Sequence, residues 1–178
     1  MRAKALVGIV MGSDADLAVM GEAAKALEGF GIAHEVRVCS AHRSPEFARR
    51  YARAAEARGL RVIIAGAGWA AHLAGVLAAQ TALPVIGVPI DSGPLQGLDA
   101  LLSTAQMPGG VPVATMSLGR AGARNAGVLA AQILATADRD LRARLRAYKA
   151  RLAAEVVARD RQVRAGARAR SAPSPRKA

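Results

Sequence analysis

Short apolar runs alternate with helix-like segments along most of this chain, and this alternation restricts its possible folds more than any other feature. The runs of strand length cover residues 5–11, 34–40, 60–68, 84–89 and 111–118. The helix-like segments follow at 17 to about 29, 44–59, 70–81, 96–106 and 121–137, and a further one begins at about 138. Strands that alternate with helices predict a parallel sheet, because each parallel connection needs a crossover that returns over one face.

The composition of the runs indicates how deeply each strand is buried. The first, third and fourth runs are almost entirely apolar, as expected for parallel strands covered on both faces. The second run alternates Val36 and Val38 with charged neighbours, which predicts one more exposed face. The sequence therefore predicts an α/β fold of three layers, in which a doubly wound, flavodoxin-like parallel sheet of five strands precedes a long C-terminal helix. The apolar stripe of that helix is formed by Leu141, Leu145, Tyr148, Leu152 and Val156.

The net charge of +12 belongs almost entirely to the C-terminal part of the chain. Residues 139–178 hold 13 of the 25 Lys and Arg residues but only 3 of the 13 Asp and Glu residues. Tyr148 is the single aromatic residue in this segment, whereas stacking on a single strand would need aromatic residues interleaved throughout the arginines. We therefore expect a solvated helix face followed by a disordered basic tail at 167–178, and no specific nucleic-acid partner.

Several classes of protein do not fit the sequence. No run approaches the roughly 18 apolar residues of a membrane helix, and no secretory signal pattern is visible, so we expect no membrane partner. Cys39 is the single cysteine, which fits a reducing cytoplasm. The histidines and this cysteine lack metal-ligand spacing, so we expect neither a metal site nor a cofactor.

The polar and glycine-rich stretches follow the predicted strands. In doubly wound sheets ligands bind outside the carboxyl ends of the strands, and we call the loops at this edge the rim. The rim stretches are MGSDAD, SAHRSP, GAGWAAHL, PIDSGPLQG and LGRAGARN. The sequence thus predicts a ligand site at one edge of the sheet.

The first rim loop contains Gly12, Ser13 and Asp16. Gly12 permits a tight turn, Ser13 offers a hydroxyl, and the amides of the following helix favour an anion such as phosphate. Asp16 has a carboxylate that accepts hydrogen bonds from ribose hydroxyls. The alternative is structural, with Ser13 or Asp14 as an N-cap and Asp16 as a first-turn acid.

The second rim loop combines a proton carrier with a fixed charge. The guanidinium of Arg43 is suited to bind a phosphate through two parallel hydrogen bonds, and the hydroxyl of Ser40 is a further hydrogen-bond donor. His42 carries an imidazole, which takes up and releases protons near neutral pH. The alternative for His42 is a capping or surface histidine, and its place on the rim favours the functional interpretation. The residues alone predict a cofactor-free site for a small phosphorylated ligand.

The third rim loop brings glycines and a second histidine. Its backbone amides are unobstructed by side chains, and His72 follows in the first turns of the next helix. A packing role for His72 is as plausible as a direct one. Trp69, the only tryptophan, is either a wall of the pocket or an exposed plug.

Five motifs in order resemble a known family. The motifs are GIVMGSDAD, VCSAHRSPE, VIIAGAGWAAHLAG, LPVIGVPIDSGPLQGLDALLSTAQMPGGVPVAT and GRAGARNAGVLAAQILA. Over roughly residues 5–137, they together resemble the catalytic subunit of phosphoribosylaminoimidazole carboxylase, a family of purine biosynthesis. One form of this family is a mutase that moves a carboxylate from the exocyclic nitrogen of an imidazole ribonucleotide to ring carbon C4. A second form carboxylates aminoimidazole ribonucleotide directly with CO2. The GAGxAAHL loop is similar to the mutase form.

The resemblance implies a role for each matching residue. His42 matches the acid/base residue, Arg43 with Ser13 and Asp16 matches the nucleotide-binding residues, and Ser40 adds a phosphate contact. The remaining substrate-binding positions are Gly12, Ala67, Gly68, His72 and Leu73. The resemblance also implies a cofactor-free, metal-independent cytoplasmic enzyme that assembles as a homo-octamer, with sites lined by neighbouring subunits.

The same resemblance divides the chain into three parts. Residues 1–137 would form the nucleotide-binding catalytic domain, 138–166 a helix that packs on neighbouring subunits, and 167–178 the basic tail. The sequence departs from the family pattern at three positions. Ala15 replaces a serine, Trp69 a glycine and Ala74 a proline, and these changes leave open a non-catalytic, nucleotide-binding relative beside the two enzymes.

Overall fold

The computed structural model describes residues 4–171, and the side chains of its last helix as far as residue 165. The strands are β1 (Val7–Met11), β2 (His34–Val38), β3 (Val62–Gly68), β4 (Val85–Ile90) and β5 (Ala114–Thr115). The helices are α1 (Leu17–Gly29), α2 (Pro45–Arg58), α3 (Leu73–Ala78), α4 (Leu98–Ala105), α5 (Gly119–Leu134) and α6 (Arg139–Ser171). A short 3-10 turn, Asp14–Asp16, leads into α1.

The five strands form one parallel sheet in the order β2-β1-β3-β4-β5. This order is that of a flavodoxin-like doubly wound fold, so the predicted fold class is confirmed. The chain reverses its direction of winding between β1 and β3, and ligands bind at such a switch point. The loops that follow β1, β2 and β3 meet there.

Helices cover both faces of the sheet. On one face α1, α5 and the beginning of α6 pack against β1, β3 and β4, in a core that includes Ile9, Ile64 and Ile86. On the other face α2 and α3 pack against Val10 and Ile63. Because β1 and β4 are buried along their whole length, their apolar runs have no polar alternation. β2 lies at the edge of the sheet and is partly exposed, but Val36 and Val38 are themselves 42% and 51% exposed, so its alternation does not mark one buried face and one exposed face.

Two elements are shorter than the sequence predicts. The segment 70–81 contains only the six-residue helix α3, since its Ala and Gly residues give a weak pattern for placing helix ends. The run 111–118 contributes only Ala114 and Thr115 to the sheet, where they pair with Ile86 and Gly87. Pro112, just before β5, lacks the amide that a longer ladder would use.

The last helix extends well past the body of the sheet. Leu141 and Leu145 are buried, and Tyr148 packs edge-on against Phe30 with ring centroids 5.2 Å apart. Farther along the same predicted stripe, Leu152 and Val156 are exposed. The helix reaches Ser171, whereas the sequence predicts its end near 166, and residues 172–178 of the predicted tail lie outside the described residues. Within the described residues, no helix is long and apolar enough to cross a membrane.

Candidate active site

Three rim loops, those after β1, β2 and β3, enclose a cavity of about 570 Å³ at the switch point of the sheet. This volume suits a small organic ligand. All ten residues that the sequence singles out for the site line this cavity, namely Gly12, Ser13, Asp16, Ser40, His42, Arg43, Ala67, Gly68, His72 and Leu73. The structure thus brings the predicted residues together, while their individual roles stay predictions.

The first rim loop is held by reciprocal capping bonds. The Ser13 amide donates to Asp16 Oδ2 at 3.2 Å, and the Ala15 amide donates to Ser13 Oγ at 3.3 Å. Ser13 is therefore the N-cap of the turn, as the structural alternative predicts. Both side chains also line the cavity, so a capping role and a ligand role are compatible.

Asp16 is a nearly buried carboxylate, with 8% of its surface exposed. Burial raises the pKa of this carboxyl above its usual value, and this effect outweighs the Ser13 amide and the Arg43 charge, which lower it. Asp14 adds a smaller repulsion in the same direction as burial. The groups around Asp16 thus do not fully offset the cost of burying its negative charge. Hydrogen bonds from a ligand would offset more of that cost, which favours Asp16 as a ligand contact.

The second rim loop is fixed by bonds within its own turn. The Arg43 amide donates to Ser40 Oγ at 3.1 Å, and Arg43 Nη2 donates to the Gly12 carbonyl at 2.8 Å, which joins this loop to the first. Ser44 Oγ donates to the Ser40 carbonyl at 3.0 Å and accepts from the Ser40 amide at 3.2 Å. Pro45 then begins α2, as predicted. The guanidinium of Arg43 is thereby held at the cavity wall.

The two rim histidines contact each other directly. His42 Nε2 and His72 Nδ1 are 2.8 Å apart, and their rings meet edge to face at an interplanar angle of 87°. One of these nitrogens donates and the other accepts, according to the tautomer. The loops after β2 and β3 reach each other across the end of β1, because β1 lies between these strands. A proton can therefore be held at the cavity by a pair of imidazoles rather than by an isolated ring.

The third rim loop forms the less polar wall of the cavity. Gly68 lies against Ser92 so closely that a Cβ at Gly68 would collide with the Ser92 hydroxyl. Trp69 has a φ of +53°, in the left-handed region, and 58% of its surface is exposed. Ser92 is a cavity residue that the sequence reasoning did not single out, although it lies in the polar stretch after β4. The fifth polar stretch, at the start of α5, is not part of this cavity wall.

Two other features of the described residues bear on the chemistry of the site. Cys39 is buried, burial raises the pKa of its thiol, and it is not part of the cavity wall, so its environment disfavours a thiolate. In the part of the chain that the structure describes, no three His, Cys, Asp or Glu side chains are grouped as a metal site would require.

Comparisons with known proteins agree on one family. A family model described as AIR carboxylase matches residues 6–155. An N5-carboxyaminoimidazole ribonucleotide mutase of Mycobacterium tuberculosis is 59% identical over 157 residues, which cover 88% of this chain and 89% of that protein. A protein of the same name from Bacillus subtilis is 58% identical and covers 79% of this chain and 86% of its own. The crystal structure of Treponema denticola PurE superposes with a TM-score of 0.79 at 28% identity, covering 88% of this chain and 96% of that one.

Proposed function

The chain belongs to the AIR carboxylase family, and on this premise we propose that it catalyses the N5-carboxyaminoimidazole ribonucleotide mutase reaction of purine biosynthesis. The reaction is an isomerisation that moves a carboxylate from the exocyclic nitrogen of the nucleotide to ring carbon C4. The proposal rests on the sequence similarity of the chain to its relatives. Over most of its length, the chain is 53–59% identical to proteins that are named for this activity. The geometry of the rim cavity agrees with it.

The polar part of the cavity fits the ribose phosphate of such a substrate. Arg43 supplies a guanidinium for the phosphate, and Ser13 and Ser40 add hydroxyl donors beside it. Asp16 accepts hydrogen bonds from the ribose hydroxyls, which relieves a carboxylate that burial leaves under-solvated. Gly12 keeps the backbone close to the ligand because it has no side chain.

The less polar part of the cavity fits the imidazole ring. Ala67, Gly68 and Leu73 form a smooth wall there, with His72 at its edge. A ring placed against this wall lies next to the histidine pair. The phosphate and the ring thus occupy different ends of the cavity, which fixes the orientation of the nucleotide before reaction.

His42 gives up one proton and takes up another in the proposed mechanism. The protonated imidazole first gives its proton to the exocyclic nitrogen, and the C–N bond of the carbamate breaks with its electron pair passing to nitrogen, which releases CO2. The C4 carbon of the electron-rich ring then attacks the CO2 and forms a C–C bond. Neutral His42 finally removes the C4 proton, which restores the aromatic ring and returns His42 to its starting state.

His72 is placed to assist both proton transfers. Its Nδ1 lies 2.8 Å from His42 Nε2, so it orients the His42 ring and determines which nitrogen carries the proton. The intermediate CO2 must stay beside C4 between the two steps. This requirement favours a site closed from water.

We infer that a homo-octamer completes this closure and that the enzyme acts in the cytoplasm without a metal or cofactor. The exposed side chains of Leu152 and Val156 on α6 support packing of this helix on neighbouring subunits. The buried single cysteine fits a reducing compartment. Residues 1–137 are the catalytic domain in this proposal, and 138–166 contribute to assembly.

The proposal is tested by an ultraviolet assay of the N5-carboxy nucleotide without ATP, metal or added bicarbonate. Wild type should consume it, and His42→Asn should lower kcat by about 10²- to 10⁴-fold, since general acid–base catalysis contributes about that much. His34→Asn is the matched control, because His34 lies at the start of β2 and its Nδ1 contacts the Ile32 carbonyl at 3.1 Å, outside the cavity wall. Its rate should equal that of wild type.

Two other results would replace the proposal. Turnover of aminoimidazole ribonucleotide with CO2, without turnover of the N5-carboxy nucleotide, would show the direct carboxylase. Nucleotide binding without any turnover would show a non-catalytic relative.

A further inference from the structure

Trp69 is the largest apolar side chain in the wall of the rim cavity, and 58% of its surface is exposed. Its neighbours on this wall, Ala67 and Ala70, are small. An indole contributes a large favourable free energy when it is buried, so a ligand that covers an exposed indole in a concave site gains affinity from that contact. Single exposed apolar residues are common on protein surfaces, and the exposure alone would therefore not identify a ligand contact.

The backbone at Trp69 supplies a second observation. Its φ of +53° lies in the left-handed region, where glycine is favoured. Among the described residues, only Trp69 and Gln96 have a positive φ without being glycine. A bulky residue held in this conformation is strained, and such strain is typical of functional sites.

The indole is supported from one side by the loop between β4 and α4. A Cβ built at Gly93 would lie 3.4 Å from Trp69 Cδ2 and 3.6 Å from its Cε2, in ordinary van der Waals contact, so the ring lies beside Gly93. The same loop supplies Ser92 to the cavity wall. A second loop beside the ring leaves it fewer orientations, and a ring with fewer orientations loses less conformational entropy when a ligand binds.

The chemistry of the cavity indicates what the indole contacts. The phosphate-binding groups, Arg43 with Ser13 and Ser40, belong to the first two rim loops, whereas Trp69 belongs to the third. A nucleotide whose phosphate lies at Arg43 presents its planar ring toward the third loop. Aromatic side chains stack on the faces of heterocyclic bases, and this contact depends on a flat π-system rather than on charge.

We propose that Trp69 is the base-recognition residue of this site, with its indole stacked on the imidazole ring of the bound nucleotide. This inference rests on the proposed function, because it takes the ligand to be an imidazole ribonucleotide. Trp69 then contributes to affinity for the ring-bearing nucleotide and contributes nothing to affinity for the ribose phosphate alone.

The test compares two ligands that differ only by the ring system, by calorimetry with the full chain. They are 5-aminoimidazole-4-carboxylate ribonucleotide and ribose 5-phosphate. Trp69→Ala should weaken binding of the nucleotide by about 10-fold, within the range measured for base–aromatic stacking, and change binding of ribose 5-phosphate by less than about 2-fold. Trp69→Phe should keep most of the nucleotide affinity, and Trp69→Leu should lose nearly as much as Trp69→Ala.

Gln96→Ala is the matched control. Gln96 shares the positive φ of Trp69 and is exposed, but it is not part of the cavity wall, so both affinities should stay unchanged. Because Trp69 is the only tryptophan, the intrinsic tryptophan fluorescence of wild type reports on this side chain alone. The nucleotide should change that fluorescence, and ribose 5-phosphate should leave it nearly unchanged.

Three results would overturn the inference. Nucleotide affinity in Trp69→Leu equal to that of wild type would show that apolar bulk suffices. An equal loss for both ligands, accompanied by a smaller particle in sedimentation velocity, would show that Trp69 is a subunit contact. Failure of wild type to bind the nucleotide would exclude stacking altogether. A wild type that binds normally, with the expected variant pattern but without turnover, would instead contradict the mutase proposal and leave the inference supported.

Discussion

Asp16 and Glu22 are two buried carboxylates near the beginning of α1, with 8% and 6% of their surfaces exposed, yet their surroundings shift them in opposite directions. Burial dominates at Asp16 and raises its pKa. At Glu22, hydrogen bonds from Lys25 and Arg124 dominate and lower the pKa to about 2. The carboxylate of Glu22 therefore has its hydrogen-bond partners within the fold, whereas that of Asp16 is available to a ligand.

The two residues belong to two regions with different tasks. Glu22 lies at the contact between α1 and α5, which we call the α1–α5 seam, defined by Glu22, Arg124 and Gly127. Arg124 Nη2 donates to Glu22 Oε2 at 2.8 Å and joins the two helices. Asp16 lies at the rim, where Arg43 acts on it only as a nearby charge. We therefore expect changes at the rim to affect activity and changes at the seam to affect stability.

Among the changes that test this comparison, Asp16→Asn has the largest expected effect, and it tests the rim. The asparagine keeps an oxygen that accepts from the Ser13 amide but lacks the charge that strengthens hydrogen bonds to ribose hydroxyls. Because hydrogen bonds to charged groups contribute about 1.5–3 kcal/mol, kcat/KM should fall by about 10- to 100-fold. The thermal unfolding midpoint should not fall, since the raised pKa shows that the charge at Asp16 costs stability near neutral pH.

Glu22→Gln is the control for that experiment. It neutralises the buried carboxylate within α1 without touching the cavity, so kcat/KM at a temperature well below unfolding should stay within about 2-fold of wild type. An Asp16→Asn enzyme that keeps its activity but unfolds at a lower temperature would reverse the assignment of the two regions.

Gly127→Ala tests the seam through packing rather than charge. A Cβ at Gly127 would lie 2.7 Å from both the Ala23 carbonyl oxygen and Ala26 Cβ, so the helices would have to separate. Overpacking of this kind should lower the free energy of unfolding by about 1–3 kcal/mol, as measured by chemical denaturation.

Gly21→Ala is the matched substitution, because a Cβ at Gly21 meets nothing within 4 Å. It lies in α1, the other helix of the seam, and should raise the stability by roughly 0.5–1 kcal/mol, through the higher helix propensity of alanine. Equal effects of the two substitutions would contradict close packing at the seam.

The comparison also explains what the sequence could predict. The rim residues could be predicted because parallel strands end at one edge, and polar loops such as SAHRSP then fall together. The contact between His42 and His72 could not, since it depends on β1 lying between β2 and β3, and the sequence spacing of 30 residues carries no such information.

The seam was less visible in the sequence. Arg124 and Glu22 are 102 residues apart, and each alone is typical of a solvated helix face. Gly127 has no side chain, so no apolar residue in the sequence marks the place where the two helices approach each other closely. Backbone proximity of this kind becomes evident only when the helices are placed in three dimensions.

The smallest expected effect is the acid dependence of the Glu22 interaction. Since the pKa of Glu22 in the folded chain is about 2, below its usual value of 4.5, its ionised form stabilises the fold above about pH 4.5, and this contribution is lost as the pH falls toward 2. Its partners Lys25 and Arg124 are largely exposed, so solvent and salt weaken the interaction. Glu22→Gln should therefore unfold at lower denaturant concentration than wild type at pH 7 and low salt, and the two midpoints should converge as the pH falls below 4.5.

Glu28→Gln is the control, because Glu28 is an exposed position of the same helix, and its midpoint should follow that of wild type at every pH. A difference between the midpoints of Glu22→Gln and wild type that does not change with pH would show that the shape of the side chain, not its charge, stabilises the seam.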